Sequence, residues 1–259
     1  MCVLLSCKRS VAADIDFVPI EQGGSVYVSA AVLDVDAINS VEQSFTVNLF
    51  VQFRWFDPRL AHDGPGSRRE KLADIQAPRF LLLNRQRTWS TLLDVADISP
   101  SGEILYRMRV WGDFSQPLRL QHFPFDSHSF QIPIVALATD FESDFVPIEV
   151  DPDYPPKIAE AFSVADWTIH DWRVESGSEE LGYDVAGDQL VFTFDATRIY
   201  THYLVKFVVP LVLIVMMSWV VFWIDPLESG SQLSVSVTVV LTLIAYHIAL
   251  TNKLPDIPY

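Results

Sequence analysis

Residues 229–252 form a run of twenty-four residues without a formal charge that nevertheless carries hydroxyls at helical spacing. Ser234, Thr238, Leu241, Ala245, Ile248 and Asn252 follow one another at steps of four, three, four, three and four. That spacing puts all six on one face of an α-helix, polar at both ends and apolar in the middle. At about 1.5 Å of rise per residue, such a helix is long enough to cross a bilayer. Small hydroxyls gain little by facing lipid. Facing water at the axis of a pore, they can replace part of an ion's hydration shell, while Leu241 closes the path by excluding water. Helix–helix packing through small residues is the other use of such a face. Reaction chemistry has no comparable signal, because the chain contains no H-E-x-x-H, G-x-S-x-G, phosphate-loop or paired C-x-x-C pattern. His122 and His128 lie six apart across a Pro-containing turn. That spacing admits zinc but suits solvated loop histidines better. The expectation is a protein that is not an enzyme and has no cofactor or resident metal.

Other elements must position that face. Residues 207–224 are eighteen uncharged, apolar residues, enough for a first spanning helix over about 201–224. Pro210 stands one turn in, and Trp219 and Trp223 approach the far interface. A polar turn at 225–230 leads into the second helix, about 229–252, and a Pro-containing loop at 253–259 follows it. The charge is distributed unevenly. Residues 1–197 hold 30 of the 33 acids and 15 of the 18 bases, so the net charge of −15 lies there. This describes an acidic, water-facing body ahead of a membrane segment. An acidic body excludes nucleic acid as a partner and suits cations and protons. Two cysteines, Cys2 and Cys7, give no disulfide framework, and residues 1–13 read as a signal-sequence remnant or a disordered start.

The body, residues 14–199, reads as β. Segments 44–56, 104–111, 129–136, 167–175 and 189–195 are rich in β-branched and aromatic residues. Turn chemistry separates them, as in Ser99-Pro100-Ser101-Gly102 and Ala186-Gly187-Asp188. Many short strands with turns between them predict an all-β, immunoglobulin-like antiparallel sandwich, followed by α-helical membrane segments.

With these elements placed, several motifs together resemble the pentameric ligand-gated ion channels, specifically the bacterial, Pro-loop branch of the Cys-loop receptor superfamily. The strongest is His122-Phe123-Pro124-Phe125-Asp126, similar to the core of the loop that names the superfamily. Gln116 and Phe130 stand where its two cysteines would be. Trp55-Phe56-Asp57-Pro58-Arg59-Leu60, the segment from Ala77-Pro78 to Asn84, and Ile98-Ser99-Pro100-Ser101-Gly102 match further family motifs in order. So do Arg198, Pro210, Leu241-Thr242 through Leu254-Pro255, and Pro258-Tyr259. The family has four membrane helices per subunit, whereas two are found here, so the resemblance implies a chain truncated after the second helix.

The resemblance implies a homopentamer in the cell (inner) membrane, multi-pass, with the sandwich on the extracytoplasmic side and gated by a small-molecule agonist or by protons. Five copies would stack the six positions of the helix face as rings, with monovalent cations passing through. Glu228 is close to an acidic ring of cation-conducting relatives, although an acid at a helix start is also well placed on the helix dipole. Agonist positions carried over are Phe50, Leu83, Leu137 and Tyr183. Two of them are leucine, which speaks against an aromatic cage for an amine. Carboxylates around 179–188 and 140–144 are the alternative, as proton or divalent-cation sensors. Coupling between sandwich and membrane is expected at Glu42, Phe123, Pro124, Phe125, Asp126 and Arg198, with Lys253 and Pro255 meeting them from the membrane side. The competing readings are a non-conducting, membrane-anchored β-sandwich binding module and a soluble β-rich binding protein with a hydrophobic tail.

Overall fold

The computed structural model describes residues 19–20, 24–138, 145–180, 186–225, 227 and 229–251. Among the described residues, twelve strands form two facing sheets. The strands are β1 (Val26–Asn39), β2 (Ser44–Phe56), β3 (Arg68–Lys71), β4 (Arg79–Leu82), β5 (Arg85–Ser90), β6 (Val95–Ile98), β7 (Glu103–Ser115), β8 (Ser127–Leu137), β9 (Ile148–Val150), β10 (Lys157–Ile158), β11 (Trp167–Glu180) and β12 (Ala186–Arg198). The larger sheet runs β10-β1-β2-β7-β6-β3, with β5 on β7 and β9 on β1; the smaller runs β11-β12-β8-β4. Pairing is antiparallel except where the short strands β9 and β10 lie parallel to β1.

Inward-facing residues of both sheets make one core. Phe45 sits at its centre, with ring centroids 5.6 Å from Phe114, 5.2 Å from Phe130 and 5.6 Å from Phe194. Such offset and edge-on ring pairs stabilise beyond the area they bury. The turn at Ile98–Gly102 and the motif around Asp57, read separately in sequence, meet in space. Asp57 N–H donates to the Gly102 carbonyl at 3.0 Å. Gly102 has φ +93°, and a Cβ there would lie 2.6 Å from the Asp57 carbonyl oxygen, so both conformation and space require glycine. Asp57 also accepts from the Arg59 backbone N–H at 2.9 Å and from its Nη2 at 2.6 Å. These bonds to Arg59 outweigh partial burial and hold the Asp57 carboxyl below the ordinary range.

The last strand ends at Arg198 and helix begins at Tyr200. The first membrane helix is continuous but changes pitch, as α (Tyr200–Tyr203), π (Leu204–Val208), α (Val209–Trp219) and 3-10 (Val220–Trp223). Pro210 lacks an N–H and its ring crowds the carbonyl four residues back, at Lys206. The wider π turn just before it relieves both. The second helix spans Ser229–Thr251. Leu204–Trp223 and Ser229–Leu250 are each long and apolar enough to span a bilayer.

Candidate functional site

Arg198, at the end of β12, is 3 % exposed and organises the junction between sandwich and membrane helix. Its Nε donates to Asp126 Oδ1 at 2.7 Å and its Nη2 to Asp126 Oδ2 at 3.0 Å, a bidentate pair. Nη2 also reaches Ser40 Oγ at 2.8 Å, and Nη1 reaches the Tyr203 hydroxyl at 3.1 Å. The guanidinium carbon lies 4.1 Å from the Trp167 ring centroid, 4.8 Å from Phe123 and 5.4 Å from Tyr203. One cation therefore ties together five elements: the β1–β2 turn, the Pro loop, β11, β12 and the first turn of the membrane helix. His128 Nε2 lies 2.8 Å from Asp126 Oδ2, so imidazole and guanidinium share a single carboxylate. Burial alone would raise the Asp126 carboxyl. The Arg198 hydrogen bonds and charge, helped by His128, outweigh it and hold the group below the ordinary carboxylate range.

The Pro loop also touches the helix directly. Phe123 packs edge-on against Tyr203 at 5.2 Å, and Phe125 lies 5.0 Å from Tyr200. Phe125 remains 63 % exposed, and the Phe123–Pro124 peptide bond is cis. Gln116 and Phe130, at the two expected cysteine positions, close the base of the loop by other means. Gln116 Oε1 accepts from the Gln131 N–H at 3.3 Å, while Phe130 is buried in the core.

Asp126, Arg198, Phe123, Pro124 and Phe125 are thus brought together with the start of the membrane helix. Glu42 is not in this cluster: its N–H caps Asn39 Oδ1 at 3.1 Å and its side chain is exposed. Ser40, two residues earlier, makes the contact instead. A short hydroxyl can enter a buried cation–carboxylate site without adding charge, whereas a second carboxylate there would cost desolvation. Lys253 and Pro255 lie outside the described residues. Ser40, Tyr203, His128 and Trp167 also belong to the site; for His128 and Trp167 the signal is register, since Ala196 pairs His128 and Arg198 pairs Trp167 on either side of β12, whereas Ser40 and Tyr203 arrive through a turn and the helix start.

On the second helix, Ser234, Thr238, Leu241, Ala245 and Ile248 are all exposed, while Asn252 and Glu228 lie outside the described residues. Val239 is the buried residue of this helix, and Gln232, Val235, Ser236, Tyr246 and Leu250 are half-buried. At about 100° per residue that packed face lies well over 90° from the stripe. Tyr246 contributes to it by donating its hydroxyl to the Phe207 carbonyl in the π turn. The stripe hydroxyls donate back along the helix, Ser234 Oγ to the Gly230 carbonyl at 2.9 Å and Thr238 Oγ1 to the Ser234 carbonyl at 2.8 Å.

The agonist positions do not converge within one chain. Leu83 donates its N–H to the Pro133 carbonyl, whereas Leu137 pairs with Arg79 at the other end of the β4–β8 ladder. Four residues of strand, about 13 Å, separate them along β8. Phe50 stands in the other sheet, opposite Arg109. Tyr183 lies outside the described residues, as do residues 140–144 and, of the acids around 179–188, Asp184.

The site is thus a β-sandwich joined through one buried arginine to two apolar helices, the second with its hydroxyl stripe turned away from the packed face. Comparisons with known proteins give the family. Residues 14–152 match the neurotransmitter-gated ion-channel ligand binding domain and residues 207–259 the neurotransmitter-gated ion-channel transmembrane region. The chain belongs to this family. It is 26 % identical to the gamma-aminobutyric acid receptor subunit rho-2 of Homo sapiens over 90 % of this chain and 52 % of the relative. To the gamma-aminobutyric acid receptor subunit beta-4 of Gallus gallus it is 26 % identical, over 93 % of this chain and 50 % of that one. It is also 26 % identical to a proton-gated ion channel of Gloeobacter violaceus, over 86 % of this chain and 62 % of the relative. The chain spans about half the length of the first two of these relatives.

Proposed function

We propose that the chain is a subunit of a homopentameric, cation-selective, ligand-gated channel, with the sandwich on the extracytoplasmic side of the inner membrane. The stripe's position carries this reading: Ser234, Thr238, Leu241, Ala245 and Ile248 lie away from the face packed on the first helix. Five copies would turn that stripe to a common axis. Because the Ser234 and Thr238 hydroxyl protons are donated to backbone carbonyls, their outward lone pairs face the pore as acceptors. Acceptors without free donors favour a cation over an anion. Leu241, Ala245 and Ile248 form the dewetting gate; Asn252 faces the outer mouth and Glu228 lies near the inner one.

The agonist is a small molecule or the proton. Likeness to a proton-gated channel supports the second. Phe50, Leu83, Leu137 and Tyr183 remain the proposed agonist positions between neighbouring subunits.

Thiol accessibility tests the pore reading. The chain with Cys2 and Cys7 replaced by serine and Thr238→Cys added is reconstituted, and current is recorded while a cationic thiosulfonate is applied. Block at Thr238→Cys and none at Val239→Cys is expected. Equal modification at both, or a monomer without current, would favour the membrane-anchored binding module.

A further inference from the structure

The two membrane helices meet along a seam. On the second helix Gln232, Val239 and Tyr246 recur at seven-residue steps, the interval that keeps one face of a helix against a neighbour. Val239, in the middle, is buried, and the two polar residues flank it half-buried. Each polar residue donates to a backbone carbonyl of the first helix. Gln232 Nε2 reaches the Ile224 carbonyl at 3.2 Å, and the Tyr246 hydroxyl reaches that of Phe207. At 1.5 Å of rise per residue the two donors stand about 21 Å apart, most of the hydrocarbon thickness of a bilayer.

Both acceptors lie where the first helix leaves α geometry. Ile224 follows the 3-10 turn Val220–Trp223 in extended backbone, and Phe207 lies in the π turn Leu204–Val208. Such turns interrupt the i→i+4 ladder, and hydrocarbon holds no water to replace a lost partner. A donor from the neighbouring helix serves instead. A polar group at a seam position gives up packing energy but fixes which register and rotation the two helices adopt. The Tyr246 contact also adjoins the junction. Tyr203, whose hydroxyl accepts from Arg198 at 3.1 Å, has its ring 5.8 Å from that of Phe207. Arg198, Tyr203, Phe207 and Tyr246 therefore make a continuous contact route from the Asp126 pair to the second helix.

We propose that Gln232 and Tyr246 are clasps that fix the rotation of the second helix, and with it the direction of the stripe. The Tyr246 clasp passes the state of the junction to the gate. Tyr246 stands one residue after Ala245, about 100° round the helix, so a turn imposed at this clasp turns the gate as well. The transmission rests on the channel reading, whereas the clasps are a property of one chain.

Tyr246→Phe removes the hydroxyl and keeps the ring, so the seam stays packed. Two measurements use the full chain with Cys2 and Cys7 replaced by serine. The first is the distance between spin labels at Val212→Cys and Val240→Cys, exposed positions on the two helices, with labelled chain diluted by unlabelled chain in lipid nanodiscs. One narrow distance population is expected in the parent. A broadened or displaced one is expected in Tyr246→Phe, more so when Gln232→Leu is added. The second is current from reconstituted channels during pH steps. Loss of one hydrogen bond predicts about two- to tenfold more protons for half-activation in Tyr246→Phe. Tyr203→Phe cuts the same route, so its shift should not add to that of Tyr246→Phe. Distances unchanged in both variants, or already broad in the parent, would overturn the clasps whether or not current flows. Altered distances with unaltered activation, or shifts that add, would overturn the transmission. A parent that passes no current in any pH step fails the channel reading and the transmission with it, and the distances alone then decide the clasps.

Discussion

Replacing Asp126 by asparagine keeps the shape of the junction and removes the one carboxylate that, among the described residues, contacts Arg198. Both side chains of the Asp126–Arg198 pair are 2 % exposed, so the guanidinium left behind cannot recover its hydration. Removing one partner of such a buried pair ordinarily costs about 3–5 kcal/mol. Asparagine still offers one acceptor, and Ser40, Tyr203 and three aromatic faces remain around the cation. The expected loss is therefore nearer about 2–3 kcal/mol, a large share of the roughly 5–15 kcal/mol that holds a domain folded. Urea unfolding of the sandwich, followed by tryptophan fluorescence, measures it. The double variant Asp126→Leu/Arg198→Met leaves no unpaired charge and should cost less than the two single changes added together. Strict additivity, or an Asp126→Asn cost under about 0.5 kcal/mol, would refute the claim that this pair holds the junction.

The remaining expectations follow from the same geometry. Asp126 has a depressed folded pKa, so its contribution is fully present above the unfolded carboxylate range and is lost as pH falls through the folded value. Stability should fall on acidification and fall less steeply in Asp126→Asn; parallel pH curves would contradict this. Gly102→Ala should cost about 2 kcal/mol or more by thermal unfolding, because the new Cβ meets the Asp57 carbonyl at 2.6 Å from a backbone at φ +93°. Leu241→Ser should raise resting current in reconstituted channels by wetting the gate, and unchanged gating would mean the register of the stripe is wrong.

Legibility in sequence followed how local each signal was. β2 is legible to its observed ends, because 44–56 is dense in β-branched and aromatic residues, alternates over most of its length and stops at Asp57-Pro58. β1, fourteen residues long, carries no such local signal. Register shifts between Val32 and Asp34 and between Val35 and Ala37 break its alternation, so Val26, Val28, Ala30 and Val32 face the core and then the parity changes. The stripe on the second helix was legible because helical periodicity needs no tertiary knowledge. The junction was half legible. Asp126 and Arg198 stand in recognisable motifs, whereas Ser40 and His128 join them only through strand register and turn geometry.

The central claim is that the stripe from Ser234 to Ile248 lines a water-filled path for cations. Its most direct test is the reversal potential of single-channel current from the reconstituted chain under a potassium chloride gradient, with agonist supplied as a pH step. Reversal at the potassium equilibrium potential is predicted, with the same selectivity in the more open Leu241→Ser variant. Reversal at the chloride potential would contradict the account.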